Sequence, residues 1–325
     1  MKQQYQLAAV YCLLFIATQF VNKYVLTVLG FQFPTIFQGW QTLVGFLMLS
    51  LLVTARHVPP LMENITRYDV ANWLPGMLLF VGSIYSGSKA LAKLPMPVFL
   101  SLHNLITVIL CTGQLALYRQ LTSLYSYAMM MILVITSILI GVSDPDFNTD
   151  GYYWMCVHVL TTGGLSIFSK LARSRLKLSA HEKLYCNYLY SVIVLAPSSY
   201  FLGDAIKAGA YPYLFYSKFY MGCIMSGIFG VFLSLNNIKL MEFKLDKADL
   251  SKIAGIAKLL TSVCSLLFFD MTLTANNVLW LSINHLAAIV CEDSSNVEES
   301  PTVPTDGQLV QQNSNTREYI RINVT

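Results

Sequence analysis

Charged residues are scarce in this chain of 325 residues: Asp, Glu, Lys and Arg make up 12% of it, whereas hydrophobic residues make up 55%. Soluble domains carry about 25% charged residues, so this composition excludes an ordinary soluble protein and indicates one that crosses a membrane several times. The formal net charge of +4 is small and the basic residues are scattered, which argues against binding to nucleic acid.

Catalytic and metal-binding patterns are also missing from the sequence. It has no nucleophile elbow, no HExxH and no phosphate-binding loop, and its histidines and cysteines form no group with metal-ligand spacing. Nearly every acidic residue falls between or after the apolar runs, whereas ion-coupled and proton-coupled carriers often rely on an intramembrane Asp or Glu. We therefore expect a protein that is not an enzyme and needs no cofactor, and ion-coupled transport is disfavoured.

Long apolar runs are what the sequence does contain. A helix of about 20 residues crosses the hydrocarbon core of a bilayer; nine runs reach this length, and a tenth is shorter. Because the runs are continuous rather than alternating, they predict helices and not a β-barrel. The predicted spans lie at 7–29, 33–55, 72–92, 97–118, 121–142, 151–172, 184–202, 213–235, 248–269 and 277–290.

An acidic, proline-containing break at 144–150 divides the predicted spans into five and five. An odd number of spans per half inserts the two halves with opposite orientation. We therefore predict an all-α polytopic membrane protein of about ten transmembrane helices in two inverted five-helix repeats, residues 1–145 and 146–291. A short sequence similarity between the halves supports the repeat, since residues 103–107 (HNLIT) resemble residues 257–261 (AKLLT).

The ends of the chain have predicted locations as well. Residues 292–325 are polar and show no apolar period, which predicts a disordered tail. Lysine and arginine concentrate in the even-numbered connections between spans. Because basic residues mark the cytosolic side of a membrane protein, both termini are predicted to be cytosolic.

Of the lysines that lie inside predicted spans, three are candidates for a buried role: Lys258 near the middle of the ninth, Lys89 in the third and Lys23 in the first. A charge at mid-membrane costs about 2.5–3.5 kcal/mol on insertion scales, so we expect such a lysine to face a water-filled cavity or a ligand. Snorkelling to the interface is the alternative, and for Lys23 the two interpretations are balanced. Buried cations without nearby acids predict an anionic cargo.

The seventh predicted span opens with Tyr185 and Asn187. Interfacial tyrosines commonly form an aromatic belt, but a buried amide must find hydrogen-bonding partners. An amide beside aromatic rings can pair with the edge of a nucleobase while a ring stacks on its face. Base binding and an aromatic belt are therefore the two interpretations of this segment.

The chain resembles the nucleotide-sugar transporters of the drug/metabolite transporter superfamily, near their GDP-mannose branch. Residues 86–110 are similar to the third and fourth helices of that branch, and shorter similarities lie at 22–26, 147–152 and 267–270. Within the family, the chain most resembles the vertebrate group called transmembrane protein 241. The resemblance implies an antiporter that carries a nucleotide sugar into the Golgi lumen and returns the nucleoside monophosphate.

The family's two binding motifs are kept only in part. Its F-Y-N-N motif falls on residues 184–187, where Tyr185 and Asn187 match, and its G-A-L-N-K motif falls on residues 254–258. The lysine of the second motif is kept, but Ala257 replaces its asparagine. Lost amides remove hydrogen bonds to a base edge and change discrimination between bases. The departures therefore favour a UDP-sugar, such as UDP-N-acetylglucosamine, over GDP-mannose.

Together the lysines and the resemblance give one set of candidate residues. The fourth-helix lysine of the branch is His103 here. The predicted substrate-binding residues are Lys258, Lys89, Tyr185, Asn187, Lys23, His103, Asn104 and Gly255. The implied partners are a nucleotide sugar, a nucleoside monophosphate and the lipid bilayer, with a homodimer left open. The implied location is the Golgi membrane, with the endoplasmic reticulum as the alternative. A non-transporting membrane scaffold or trafficking factor is the competing class of function.

Overall fold

Helices lie in all ten predicted spans. The computed structural model describes residues 2–59, 61, 66–118, 124–173, 175–242 and 247–291, and the tail predicted at 292–325 lies outside them. The helices are α1 (Lys2–Lys23, continued by a π-helical turn at Tyr24–Val28), α2 (Pro34–Thr54), α3 (Arg67–Lys93), α4 (Met96–His103), α5 (Leu105–Tyr118), α6 (Leu124–Ser143), α7 (Thr149–Arg173), α8 (Ala180–Phe201), α9 (Asp204–Gly209), α10 (Ser217–Glu242), α11 (Lys247–Ser265) and α12 (Ala275–Val290).

The described helices differ in whether they are long and apolar enough to cross a membrane. Six segments are long and apolar enough to span a bilayer: Gln3–Val28, Pro34–Thr54, Met96–Leu117, Leu124–Ser143, Thr149–Arg173 and Ser217–Glu242. The helices α3, α8 and α11 are long but carry more polar residues, and α12 has 16 residues. An all-helical polytopic membrane protein is therefore confirmed for the described residues, while the number of ten spans stays a prediction.

The fourth predicted span is interrupted at Asn104, where α4 ends and α5 begins. The Asn104 N–H donates to the Ser101 carbonyl at 3.0 Å, and the Asn104 carbonyl accepts from the Thr107 N–H at 3.0 Å. Bonds between residues three apart tighten the chain into a 3₁₀-like turn. The break places a nearly fully buried amide beside α11 and α12.

Helices that are distant in sequence make the main packing contacts. The helix α3 packs on α7, α1 on α10, α2 on α8, α6 on α12, and α4 on α11. The largest apolar core includes residues of α1, α4, α7 and α11, among them Phe15, Leu100, Met155 and Ala257. Because α4 lies among these helices, its carboxyl end is held in the interior of the molecule.

The short helix α12 begins at a well-formed cap. The Thr274 hydroxyl accepts from the Asn277 N–H at 3.3 Å, which satisfies one of the free N–H donors at a helix start. The helix then packs against α6, α11 and α4. Tertiary contacts therefore hold a segment whose hydropathy alone is marginal.

Candidate substrate-binding site

A chain of amide hydrogen bonds holds Lys258 in place. The Lys258 ammonium donates to Asn104 Oδ1 at 3.0 Å, and Asn104 Nδ2 donates to Asn284 Oδ1 at 3.0 Å. Asn284 Nδ2 in turn donates to Thr136 Oγ1 at 2.8 Å. The two asparagines are buried and Lys258 is partly accessible. Four helices, α11, α4, α12 and α6, therefore contribute to one continuous polar network.

The Lys258 charge has no carboxylate partner in the part of the chain that the structure describes. An ammonium has three donors and no acceptor, and the described contacts use one of them, toward Asn104. Burying a cation without a counter-ion is costly. The arrangement can therefore bind an anion, which would supply both the missing charge and the missing acceptors.

Three histidines surround this network. His103 directly precedes Asn104 on α4, His158 lies on α7 and His285 follows Asn284 on α12. The rings of His103 and His158 are 5.3 Å apart between centroids. His285 Nε2 lies 3.1 Å from the Ser101 hydroxyl and 2.9 Å from the Ser262 hydroxyl, so it joins α12 to α4 and α11. We call Lys258, Asn104, Asn284 and these three histidines the central cluster.

Lys89 lies on α3 and faces α7. Its ammonium lies 5.8 Å from the ring centroid of Tyr85 and 5.7 Å from that of Trp154. Trp154 is one helical turn from His158 on α7, so the aromatic contacts of Lys89 adjoin the cluster. Aromatic faces stabilise a cation only partly, and no carboxylate among the described residues pairs with Lys89.

Lys23 and Gly255 take part in helix packing. The Lys23 ammonium is buried and donates to the carbonyls of Leu91 and Leu94, both at 2.8 Å. It thereby satisfies carbonyl groups that the end of α3 leaves free. At Gly255 an added Cβ would lie 2.9 Å from Ile289 Cγ1, so glycine permits the close approach of α11 and α12. Neither residue is placed beside Lys258 by a described polar contact.

Tyr185 and Asn187 form a second location, on α8. The Tyr185 ring contacts the Phe46 ring with centroids 5.1 Å apart, and Asn187 Oδ1 accepts from the Trp73 indole N–H at 2.9 Å. Trp73 precedes Ser83 and Gly87, where α3 contacts His158, by about 15–20 Å along the helix. The predicted base-binding pair and the central cluster are therefore separated by roughly half of the length of α3.

The Asn187 side chain already accepts a hydrogen bond from Trp73 in the structure, so its loss is expected to destabilise the protein. Asn187→Leu is expected to lower the free energy of unfolding by about 1–3 kcal/mol, because it leaves the buried Trp73 N–H without an acceptor. Removing both polar partners is cheaper than removing one, so Trp73→Phe combined with Asn187→Leu is expected to be less destabilising than the sum of the two changes. Thermal unfolding of the purified variants checks this, and additive losses would contradict it.

His158, Asn284 and His285 are functional candidates that were not predicted from the sequence. Like Lys258, Asn284 and His285 are polar side chains inside an apolar run, the last predicted span, and they therefore need partners. His158 carries the same signal within residues 151–172. Among the described residues, no group of three metal-ligating side chains is arranged to hold a metal ion.

Two curated proteins are similar to most of this chain. The Xenopus laevis "UDP-N-acetylglucosamine transporter TMEM241 homolog" is 38% identical over 280 residues, which is 86% of this chain and 93% of that protein. The Mus musculus "UDP-N-acetylglucosamine transporter TMEM241" is 37% identical over 272 residues, which is 84% of this chain and 90% of that protein. The chain belongs to the nucleotide-sugar transporter family. Its predicted likeness to the transmembrane protein 241 group of that family is confirmed.

More distant nucleotide-sugar transporters are similar over the same share of the chain. The GDP-mannose transporters of Chaetomium globosum and Aspergillus niger are 22% and 26% identical, over 86% of this chain and 76% and 77% of their own. No family model matches the chain. A solved structure described only as a crystal structure of a protein covers 89% of this chain and 96% of its own, with a TM-score of 0.57 and 12% identity. That likeness concerns the fold alone.

Proposed function

We propose that this protein is a Golgi carrier that exchanges a cytosolic UDP-sugar, with UDP-N-acetylglucosamine favoured, for a lumenal nucleoside monophosphate. One observation carries the proposal: Lys258 is fixed by buried amides and has no described carboxylate partner. The diphosphate of a nucleotide sugar supplies the charge and the acceptor oxygens that this ammonium lacks. Lys89, held by two aromatic rings nearby, would attract the same group.

The choice of uridine rests on the relatives. Those named for UDP-N-acetylglucosamine are 37–38% identical, and those named for GDP-mannose are 22–26% identical over a similar share of the chain. The replaced asparagine of the G-A-L-N-K motif contributes less than the sequence suggested. Ala257 is 0% exposed and packs in the apolar core, so its side chain contacts the core rather than the accessible side of Lys258.

The packing supports two inverted repeats. In two such repeats each predicted span corresponds to the span five places later. The contact of α3 with α7 then corresponds to the contact of α10 with α1. The contact of α1 with α11 likewise corresponds to the contact of α7 with the fourth span. Residues related by a two-fold axis touch only where they lie on that axis. Asn104 and Lys258 occupy equivalent positions in the similar segments 103–107 and 257–261, and their side chains form a hydrogen bond. We place the axis through this contact, at the centre of the candidate site.

Exchange follows from the charge of the site. An empty carrier that reoriented would take unpaired ammonium groups through the membrane interior, which costs free energy, whereas a loaded carrier neutralises them. Reorientation is therefore faster with either anion bound, and each inward step of a nucleotide sugar is matched by the return of a nucleotide.

The predicted lumenal end is closed by contacts between helices of the two halves. Lys93 at the end of α3 forms an ion pair with Asp150 at the start of α7. The Tyr211 hydroxyl donates to the Leu29 carbonyl at 2.6 Å, and the Thr35 hydroxyl donates to the Asp204 carboxylate. We infer that the described conformation is closed toward the lumen.

Breaking the Lys93–Asp150 pair is expected to favour the lumen-open state. An exposed ion pair contributes about 0.2–1 kcal/mol, so Asp150→Asn is expected to raise the KM for substrate on the cytosolic side up to about fivefold and to lower it on the lumenal side. The measurement is uptake into oriented proteoliposomes from either face. The charge swap Lys93→Asp with Asp150→Lys should restore both values.

A matched control is available on α11. Lys252 pairs with Asp249 of the same helix at 3.8 Å, with similarly exposed side chains. Breaking that pair leaves the two halves unaffected, so Asp249→Asn is expected to change neither KM. Equal effects of Asp249→Asn and Asp150→Asn would contradict the assignment of a lumenal closure.

Reconstitution tests the function itself. Liposomes containing the purified protein and trapped UMP or GMP are supplied with labelled UDP-N-acetylglucosamine, UDP-glucose or GDP-mannose. We expect uptake of UDP-N-acetylglucosamine that requires trapped UMP. Faster uptake of GDP-mannose against GMP would overturn the choice of base, and equal uptake with and without trapped nucleotide would overturn exchange. No uptake of any nucleotide sugar would favour the scaffold alternative.

A further inference from the structure

His158 is positioned by a hydrogen bond that fixes one of its ring nitrogens. His158 Nδ1 lies 2.9 Å from the Ser83 carbonyl on α3. A carbonyl oxygen only accepts, so Nδ1 carries a hydrogen. No carboxylate among the described residues pairs with this ring, and a buried imidazole without a counter-ion is neutral. His158 Nε2 therefore presents a lone pair and acts as an acceptor.

That acceptor is buried and has no partner among the described residues. The His158 side chain belongs to a residue that is 9% exposed, and Nε2 is one of the buried polar atoms without a hydrogen bond. A buried polar atom left unpaired costs about as much as a lost hydrogen bond. The site therefore favours a ligand group that can donate a hydrogen bond at this position.

His103 adds a second unpaired nitrogen beside the first. Its Nδ1 is also buried without a partner among the described residues. Phe99 holds both rings: its centroid is 5.6 Å from that of His158, nearly parallel at 26°, and 6.3 Å from that of His103. His103 is joined through the chain to Asn104, which binds Lys258. The two imidazoles therefore lie next to the proposed diphosphate site.

We propose that His158 and His103 form the subsite for the sugar ring, with His158 Nε2 accepting a hydrogen bond from a sugar hydroxyl or acetamido N–H. Phosphate oxygens are acceptors and match the ammonium groups, whereas a neutral imidazole lone pair matches a donor. In a nucleotide sugar the pyranose is bonded directly to the diphosphate, and its nearest donor, a 2-hydroxyl or 2-acetamido N–H, is on the carbon next to the bonded one. The assignment rests on the proposed function, because it requires a nucleotide sugar at Lys258.

A purely structural role for His158 makes a different prediction. An added Cβ at Gly87 would lie 2.8 Å from His158 Nδ1, so the ring also fills the contact between α3 and α7. Loss of such packing would weaken the binding of every ligand by the same factor. The ratio of affinities for a nucleotide sugar and for the bare nucleoside diphosphate separates the two roles, since only the former carries the sugar.

The test compares binding of UDP-N-acetylglucosamine and UDP to the purified full-length protein, measured by displacement of labelled UDP-N-acetylglucosamine. His158→Phe keeps a ring but removes the acceptor, and we expect it to lower the preference for the sugar nucleotide over UDP by about tenfold. His158→Gln, which retains a donor and an acceptor, is expected to recover most of that preference. His181→Phe replaces a histidine of α8 that lies near Glu242 and outside the central cluster, and it is expected to leave the ratio unchanged.

The possible outcomes distinguish failure of the proposed sugar subsite from failure of the proposed carrier function. If His158→Phe weakens the binding of UDP and of UDP-N-acetylglucosamine by the same factor, or weakens the binding of neither, the proposed sugar subsite is wrong. The proposed carrier function is unaffected by that result. If the wild-type protein binds GDP-mannose instead, the same ratio is measured with GDP-mannose and GDP, and a tenfold loss there supports the subsite. If the wild type binds no nucleotide sugar, both proposals fail.

Discussion

Lys258→Met is expected to reduce UDP-N-acetylglucosamine uptake at least about a hundredfold. The substitution keeps the aliphatic stem and removes only the charge. A hydrogen bond to a charged group contributes about 1.5–3 kcal/mol, and a diphosphate left without its cation in a membrane interior loses more than one such contact. Each 1.4 kcal/mol is a factor of about ten, so the expected loss is large. Initial rates of uptake into UMP-loaded proteoliposomes measure it.

The same variant is expected to remain folded, which separates a binding role from a structural one. Removing an intramembrane charge relieves an insertion cost of about 2.5–3.5 kcal/mol, and this offsets the loss of the donor to Asn104. The midpoint of thermal unfolding without ligand should therefore change little, whereas stabilisation by added UDP should disappear. Lys252→Met is the matched control, since that side chain is 47% exposed on the same helix and should transport normally. Normal uptake by Lys258→Met would remove this lysine from the site.

Asn104→Leu is expected to raise the KM about tenfold and to lower the free energy of unfolding by about 2–4 kcal/mol. Asn104 is the only described link between Lys258 and Asn284. Its loss leaves the ammonium without its acceptor and Asn284 Oδ1 without its donor, both in the interior. Uptake kinetics and thermal unfolding of the same preparations measure the two effects.

Asn277 provides a closely matched control for this change. It is 0% exposed, like Asn284, and neither atom of its amide group has a hydrogen-bonding partner among the described residues. Replacing an unpaired buried amide removes a desolvation cost, so Asn277→Leu is expected to be neutral or stabilising. The pair Asn104→Leu and Asn284→Leu should cost less together than the sum of the two, since they interrupt one network. Additive losses, or an equal loss at Asn277, would mean that burial alone explains the effect.

Much of the site could be predicted because intramembrane polar groups are rare and costly. That cost identified Lys258, which is part of the central cluster, and Lys89, which lies beside Tyr85 and Trp154; neither forms a described ion pair. The same reasoning left Lys23 undecided, because a lone lysine in a span can either snorkel or face a ligand. Its carbonyl acceptors, Leu91 and Leu94, lie some 70 residues away in the chain. No local pattern encodes such a contact.

The break at Asn104 shows a second limit. Hydropathy treats residues 96–117 as one apolar run, and it describes α12 only as short. Neither measure registers that a tight turn at Asn104 aims its amide at Asn284 and Lys258. Hydrogen bonds between helices depend on how the helices are rotated and stacked, which a one-dimensional average discards.

The sequence by itself determined that the chain is a helical membrane protein, where its long apolar helices lie apart from the break at Asn104, and which lysine is energetically anomalous. These follow from the transfer of side chains and peptide groups into hydrocarbon, a cost that each residue incurs independently of its neighbours. Only the tertiary structure decided what Lys258 contacts, that Lys23 caps α3, that Asn187 is bound to Trp73, and that His158 holds an unpaired nitrogen beside His103. Those facts depend on which helix faces meet, and that is settled by the packing of the whole bundle.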